Sequence, residues 1–339
     1  MNLAARVEAF LPRVWLHRGL LARLLWPISK LFGLLLNFRV GLYLMGYKKQ
    51  TKLDVPVIVV GNIFIGGTGK TPMVIYLVEQ LRLAGFTPGV ISRGFGADPL
   101  SVLEVQPDSA AVDVGDEPAL IAQRTACPMM VGRQRVASAQ QLLKCYPTVD
   151  VIISDDGLQH YALGRDIEIL MFDQRGIGNG YLLPAGPLRE SPQRRRDFTI
   201  LNTSSDEAVL GIGEEVLQMR LVAGDLHNLR RPELVMPIAG LAGKRILAAA
   251  GIGHPERFFV TLTQFGFPFE RLALPDHFAY TSETFAQYDA QIILVTEKDA
   301  VKCRQIAGLK DDARIWVLPV NASVDQELMR KLLNLLSQS

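Results

Sequence analysis

The residues best suited to chemistry lie in one short run, Gly66-Gly67-Thr68-Gly69-Lys70-Thr71. Small residues let successive backbone N–H groups converge on one point, where an anion can bind. Lys70 adds a mobile cation that can reach β- and γ-phosphates, and the Thr71 hydroxyl adds a hard oxygen donor for Mg²⁺. The strict phosphate-loop pattern begins with one more glycine, and Phe64 stands in that place. A second constellation is Asp155-Asp156, which ends the apolar run 149–153. Two adjacent aspartates in a dry site call for a cation, so the pair reads as Mg²⁺ ligands beside the loop. An ordinary Asp-Gly turn is the alternative.

The elements that must position these groups are legible nearby. Residues 57–60 are an unbroken apolar run, as in a strand buried on both faces. After the glycines, Val74, Leu77, Val78 and Leu81 recur with helical spacing, Pro72 is tolerated in the first turn, and Gly85 provides a stop. Residues 88–92 predict the next strand of a right-handed βαβ unit, with Arg93-Gly94-Phe95-Gly96 at its ligand-binding end. Further strands are expected at 128–131, 149–153, 166–172, 198–201, 244–250, 292–295 and 316–318. Helices are expected at 119–124, around Val136 to Leu143, from His254 and from Asp325.

Some groups stay ambiguous on pattern alone. Asp116 and Glu117 open a helix, where acids often serve only the dipole. His277, one of five histidines, sits in a loop and suits a structural or a catalytic role equally. The proline- and glycine-rich stretch 183–196, with Arg189, Glu190, Arg194, Arg195 and Arg196, reads either as an anion clamp or as a solvated charge run.

A net charge of +2 leaves no global field for nucleic acid, and none is expected as a partner. The distribution says more: residues 1–50 carry Arg6, Arg13, Arg18, Arg23, Lys30, Arg39, Lys48 and Lys49 against Glu8 alone. This basic segment is also rich in Leu, Trp and Phe. Its longest charge-free run, 31–38, is far short of the ~20 residues that span a bilayer. A helix interrupted near Pro27 and lying among anionic headgroups is expected, with a helix pair packed on the protein's own core as the alternative. Three cysteines without paired spacing suit reduced thiols, and the N-terminus lacks the pattern of a cleaved signal peptide. Length and texture predict a membrane-associated segment over 1–50, a phosphate-loop core over 51–205 and a smaller α/β lobe over 206–339.

Taken in order, GNIFIGGTGKTP, SRGFG, GDEP, SDDGLQH, LPAGPLRE, AGIGHPERFF, LPDHFAY and TEKDAVK resemble the tetraacyldisaccharide 4′-kinase family, over about residues 56 to 302. The resemblance implies a phosphate-loop NTPase-like sheet core, a second α/β domain and an enzyme at the cytoplasmic face of the Gram-negative inner membrane. The implied reaction moves the γ-phosphoryl of ATP to the 4′-hydroxyl of tetraacyldisaccharide 1-phosphate, giving lipid IVA. It further implies Asp116 as general base, His277 as its partner, and Asp155, Asp156 and Gln159 around Mg²⁺ and phosphates beside Thr71. Arg93, Arg189 and Glu190 would line the substrate and phosphate region. Phe95 departs from the tyrosine common at that place. A membrane-associated phosphate-loop switch or partitioning-type ATPase is the alternative, weakened because Ile65 stands where such proteins carry a signature lysine.

Overall fold

The computed structural model describes residues 15–94, 101–205 and 209–338. Arg6, Arg13 and Phe95 therefore lie outside the described residues. In chain order the strands are β1 Val57–Gly61, β2 Pro88–Ser92, β3 Leu103–Glu104, β4 Met129–Val131, β5 Val151–Asp155, β6 Ile167–Asp173, β7 Phe198–Asn202 and β8 Val216–Ala223. There follow β9 Leu226–Asn228, β10 Val235–Met236, β11 Ile246–Ala250, β12 Glu270–Ala273, β13 Ile292–Thr296, β14 Ile315–Leu318 and β15 Val320–Val324.

A nine-stranded sheet runs β15-β8-β7-β6-β1-β5-β2-β4-β3. It is parallel except at its two edges, where β3 and β15 pair antiparallel. The central strands β1, β5, β6 and β7 are buried along their whole length, which explains why they read as continuous apolar runs. β1 sits between β5 and β6, and Val60 is in register with Asp155. The phosphate loop and the double aspartate therefore leave the same end of neighbouring strands, at a point where consecutive connections diverge.

A second, six-stranded sheet runs β10-β9-β14-β13-β11-β12. Its two hydrophobic clusters centre on Leu247, Ile293 and Phe285, and on Phe259, Leu294 and Leu262. β8 and β15 come from 206–339 yet pair within the first sheet, and Leu328, Leu332 and Leu336 of the helix Gln326–Leu336 join the first core. The helix Asp116–Thr125 packs directly on Glu297–Cys303 of the second sheet's side, with Arg124 Nη1 2.5 Å from Glu297 Oε1.

The N-terminal helix is continuous over Leu20–Leu44, with Pro27 inside it. The expected interruption is absent: proline deletes one backbone hydrogen bond there, while tertiary anchors hold the remainder. Only Ala22 and Ser29 of this helix are buried, seven positions apart and hence on one stripe. Ser29 donates to the carbonyls of Leu182 and Leu183. Trp15 Nε1 donates to Pro184 O at 3.0 Å, and Arg18 Nε to Asn179 O at 2.9 Å. The opposite face leaves Leu20, Leu24, Leu31, Leu34, Leu35 and Phe38 exposed. By length and composition this helix could cross a membrane.

Candidate active site

The phosphate loop links β1 to the helix Lys70–Leu83. Asn62 stitches it: Nδ2 donates to Phe64 O at 2.6 Å and to Gly66 O at 2.9 Å, while Oδ1 accepts from Lys70 Nζ at 3.0 Å. Asn202 Nδ2 donates to Thr68 O at 3.1 Å. Gly69 has φ +92°, and a Cβ there would run into Asn202 and Met219, so this position requires glycine.

Phe64, the mismatch to the usual pattern, is buried against Leu188 and lies beneath the Arg175 guanidinium, 4.3 Å from its ring centre. Arg175 also donates to Gly67 O at 3.2 Å and is clamped by Asp173 at 2.7 Å. The ring roots the loop in the core and serves as a platform for a cation.

Asp155 and Asp156 leave the end of β5 beside the loop. Lys70 Nζ lies 3.5 Å from Asp156 Oδ1, and Arg189 Nη1 3.5 Å from Asp156 Oδ2. Burial would raise the Asp156 pKa, but these two cations together with Arg135 outweigh it and the value is lowered. Asp155 is fully buried and goes the other way. Burial first, then the charges of Glu117 and Asp156, push its pKa up to about 7. Its Oδ2 accepts from Ser92 Oγ at 3.1 Å.

Thr68 Oγ1, Asp155 Oδ1, Asp156 Oδ1 and Gln159 Nε2 are all buried without a hydrogen-bond partner among the described residues. Buried polar atoms are rarely left so; four of them around one loop fit a missing polar ligand. Among the described residues, no group of three or more His, Cys, Asp or Glu side chains is placed to hold a metal. Mg²⁺ needs only one or two carboxylates when phosphates and waters complete its octahedron, so Asp155, Asp156 and Thr71 fit it as partial ligands.

Asp116 is the first residue of the helix Asp116–Thr125. His277 follows β12 in a loop, and its φ of +56° is unusual for a non-glycine residue. Although 161 positions apart, His277 Nδ1 and Asp116 Oδ2 meet at 3.0 Å. Burial acts to raise the Asp116 pKa, but the His277 hydrogen bond and the fields of Lys302 and Lys298 lower it overall. The two charged groups are neighbours, since Glu117, next in chain to Asp116, acts on Asp155.

The remaining expected residues divide. Arg189 joins the phosphate-loop group, as above. Glu190 is buried in a structural network, accepting from Tyr161 at 2.6 Å and Arg194 at 2.9 Å. Arg194 also pairs with Glu168 at 2.7 Å, so it is neither a solvated charge nor a free clamp. Arg93 is exposed at the end of β2, close enough to Arg135 and His160 to bear on their charge. Asn62, Arg175, Lys298 and Lys302 contact these groups and were not singled out from sequence, and Glu117 was read there only as a possible dipole partner. Asn62 alone had a local signal, being the polar residue directly after the β1 apolar run.

A largely parallel sheet that feeds a glycine loop into a helix, next to an aspartate-ended strand, defines a phosphate-loop nucleotide-binding protein carrying an additional carboxylate–histidine pair. The family model described as tetraacyldisaccharide-1-P 4′-kinase matches residues 21–337. The chain belongs to this family. It is 52% identical over 334 residues to the tetraacyldisaccharide 4′-kinase of Janthinobacterium sp. (strain Marseille), covering 97% of this chain and 96% of that protein. It is also 52% identical over 339 residues to that of Herminiimonas arsenicoxydans, covering 96% and 95%. The crystal structure of LpxK from Aquifex aeolicus in complex with ATP superposes with a TM-score of 0.78 at 30% identity, covering 94% of this chain and 99% of that one. These matches support the kinase and leave the partitioning-type alternative without support.

Proposed function

We propose that the chain transfers the γ-phosphoryl group of ATP to the 4′-hydroxyl of tetraacyldisaccharide 1-phosphate, forming lipid IVA. The observation that carries this reading is the 3.0 Å Asp116–His277 pair standing beside the phosphate loop. Such transfer needs charge neutralisation and in-line positioning more than covalent help. Lys70, released from Asn62 and Asp156, would meet the β- and γ-phosphates, with the loop amides of 66–71 beneath them. Asp155, Asp156 and Thr71, with Gln159 nearby, would hold Mg²⁺, which when bound neutralises phosphate charge. Arg189 would steady the phosphate side and Arg93 the substrate side, while Glu190 braces the loop that presents Arg189.

Asp116 would accept the proton of the attacking hydroxyl, oriented by His277; such base catalysis is worth about 10²–10⁴-fold. In this division of labour the core of 51–205 carries the donor side. The lobe of 206–339 supplies His277 and returns β8 and β15 to the core sheet. The helix Leu20–Leu44 would lie in the cytoplasmic face of the inner membrane, its exposed leucines in the acyl region and Arg23, Lys30 and Arg39 among anionic headgroups.

Incubation of the protein with labelled ATP, Mg²⁺ and the disaccharide 1-phosphate in detergent should label the lipid, and a chelator should stop it. An unlabelled lipid from folded protein would overturn the assignment. Flotation with anionic vesicles should require residues 1–45.

A further inference from the structure

Three successive carbonyls of the phosphate loop are each held by a different side chain. Gly66 O accepts from Asn62 Nδ2 at 2.9 Å, Gly67 O from Arg175 Nη2 at 3.2 Å and Thr68 O from Asn202 Nδ2 at 3.1 Å. In a trans peptide the C=O and the N–H that follows it point to opposite sides. The anchors therefore turn the amides of Gly67, Thr68 and Gly69 away from those side chains, as an anion nest requires. None of the three amides donates to a backbone carbonyl among the described residues. Asn62 directly follows β1 and Asn202 ends β7, so both are fixed by the first sheet. Arg175 differs, because it is gripped from both lobes. Asp173, the last residue of β6 and 1% exposed, accepts from its Nε at 3.0 and 3.1 Å and from its Nη2 at 2.7 Å. The same carboxylate accepts from Arg257 Nη2 at 2.6 Å, and Arg175 Nη1 donates to His254 Nε2 at 2.9 Å. His254 immediately precedes the helix Pro255–Thr263 of the second lobe, which carries Arg257. Burial acts to raise the Asp173 pKa, but the hydrogen bonds and charge of Arg175 and the charge of Arg257 lower it, so the clamp is ionised at neutral pH.

We propose that Arg175 is a positioning residue of the donor site: it turns the Thr68 amide towards the phosphates of ATP, and His254 and Arg257 of the second lobe fix where it sits. This rests on the loop 66–71 receiving those phosphates. The surroundings fit a rigid, planar cation. Its face lies on the Phe64 ring, 4.3 Å from the centre, so the aromatic residue at the unusual loop position supports the guanidinium as a glycine could not. Gly66 makes room on the loop side: with φ +105°, a Cβ there would stand 3.3 Å from Arg175 Nη1 and 3.7 Å from His254 Nε2. Each N–H direction of the fork is thus matched to a separate partner, Asp173, Gly67 or His254. Lysine would keep the charge and lose this geometry. Of the three carbonyl anchors, Arg175 alone is itself held by the second lobe. The aim of the middle amide therefore depends on the seating of the helix Pro255–Thr263, whereas its two neighbours depend on the first sheet.

The test measures the KM for ATP and the KM for the disaccharide 1-phosphate separately on the full chain in detergent, with thermal unfolding alongside. Arg175→Lys should raise the KM for ATP by about 10–100-fold, the worth of a charge-assisted hydrogen bond, and leave the KM for the lipid in place. Arg257→Met changes a half-exposed side chain and should raise the KM for ATP by about 2–5-fold, with Arg257→Lys regaining most of the loss. Because Arg257 acts through Arg175, the double variant Arg175→Lys/Arg257→Met should match Arg175→Lys alone. Additive effects would place Arg257 elsewhere and overturn the link to the second lobe. An unchanged KM for ATP in Arg175→Lys would overturn the proposal, as would an equal rise in both KM values with a lowered unfolding temperature, the mark of a merely structural arginine. Should Arg175→Lys not fold, His254→Ala and Arg257→Met carry the same test. Both act on one guanidinium, so their combined effect on ATP should fall short of the sum, and a full sum counts against the proposal. Lys70→Ala is assayed with them. If it leaves the KM for ATP unchanged, the reading of the loop itself has failed. If it raises that KM while Arg175→Lys behaves as wild type, only the role of Arg175 has failed.

Discussion

The site contains two clusters of buried charge, and they are balanced in opposite ways. On the donor side, Asp155 and Asp156 share the fields of Lys70 and Arg135, and Arg189 pairs with Asp156, with an oxygen of each aspartate lacking a hydrogen-bond partner among the described residues. Asp155 is left undercompensated and its pKa rises to about 7. On the acceptor side, Asp116 has a histidine at 3.0 Å and a lysine at 3.7 Å, and its pKa falls despite burial. The donor cluster is thus incomplete without a ligand that brings positive charge. The acceptor cluster carries its own cations and keeps its carboxylate ready at neutral pH. A cation shared by both acids would have blurred two such tasks; under the proposed function the separation would let one carboxylate pair bind while another takes part in proton transfer.

Three substitutions can break or sharpen that contrast. The largest effect is expected for Asp116→Asn, which should lower kcat by about 10²–10⁴-fold while nucleotide affinity and Mg²⁺ dependence hold. Weakened nucleotide binding would show that the two clusters are not separate. Next comes Asp155→Asn, read by thermal unfolding in chelator. With a folded pKa of about 7 against about 3.9 unfolded, ionisation of Asp155 opposes folding. That opposition is absent below the unfolded value, grows as pH rises and is complete above the folded value. The variant should therefore melt higher than wild type near pH 8 and lose the advantage by about pH 4. Added Mg²⁺ should stabilise wild type more than the variant, which keeps Asp156 and Thr71. Smallest is Lys298→Met, which should move the acidic limb of kcat upward by about half a unit, and a limb that stays in place would remove Lys298 from the acceptor cluster.

Much of this was legible beforehand, for a definite reason. Strands such as β1, β5 and β6 are buried on both faces, so every residue must be apolar and the run stands out. β8 and β15 were not recognised because only Met219 of β8 is buried and β15 alternates half-exposed with exposed residues; their place in the first sheet depends on long-range closure. Lys70, Thr71 and the double aspartate carry local geometry in their spacing. Asp116 and His277 carry none, since their meeting spans 161 positions, and resemblance rather than pattern brought them forward. Arg194 was ambiguous in a basic run because Glu168, its partner 26 positions away, is supplied by the fold. Pro27 invited a break that neighbouring anchors remove.

The loop from Asn179 to Arg189 touches both ends of the molecule's task. Its carbonyls at Asn179, Leu182, Leu183 and Pro184 hold Arg18, Ser29 and Trp15. A few residues later, Pro187 O accepts from Ile65 N at 3.1 Å and Arg189 N donates to Ile63 O at 2.7 Å. The loop therefore works as a ruler between the N-terminal helix and the phosphate site, and its length matters more than its composition. One inserted residue adds up to about 3.3–3.6 Å of chain, as much as the whole separation of about 3–3.5 Å at which reacting atoms must be held. Outside Gly186, where a Cβ would run into Asn179 and the Tyr181 carbonyl, side-chain changes that spare the backbone leave the gauge intact; a single insertion or deletion resets it.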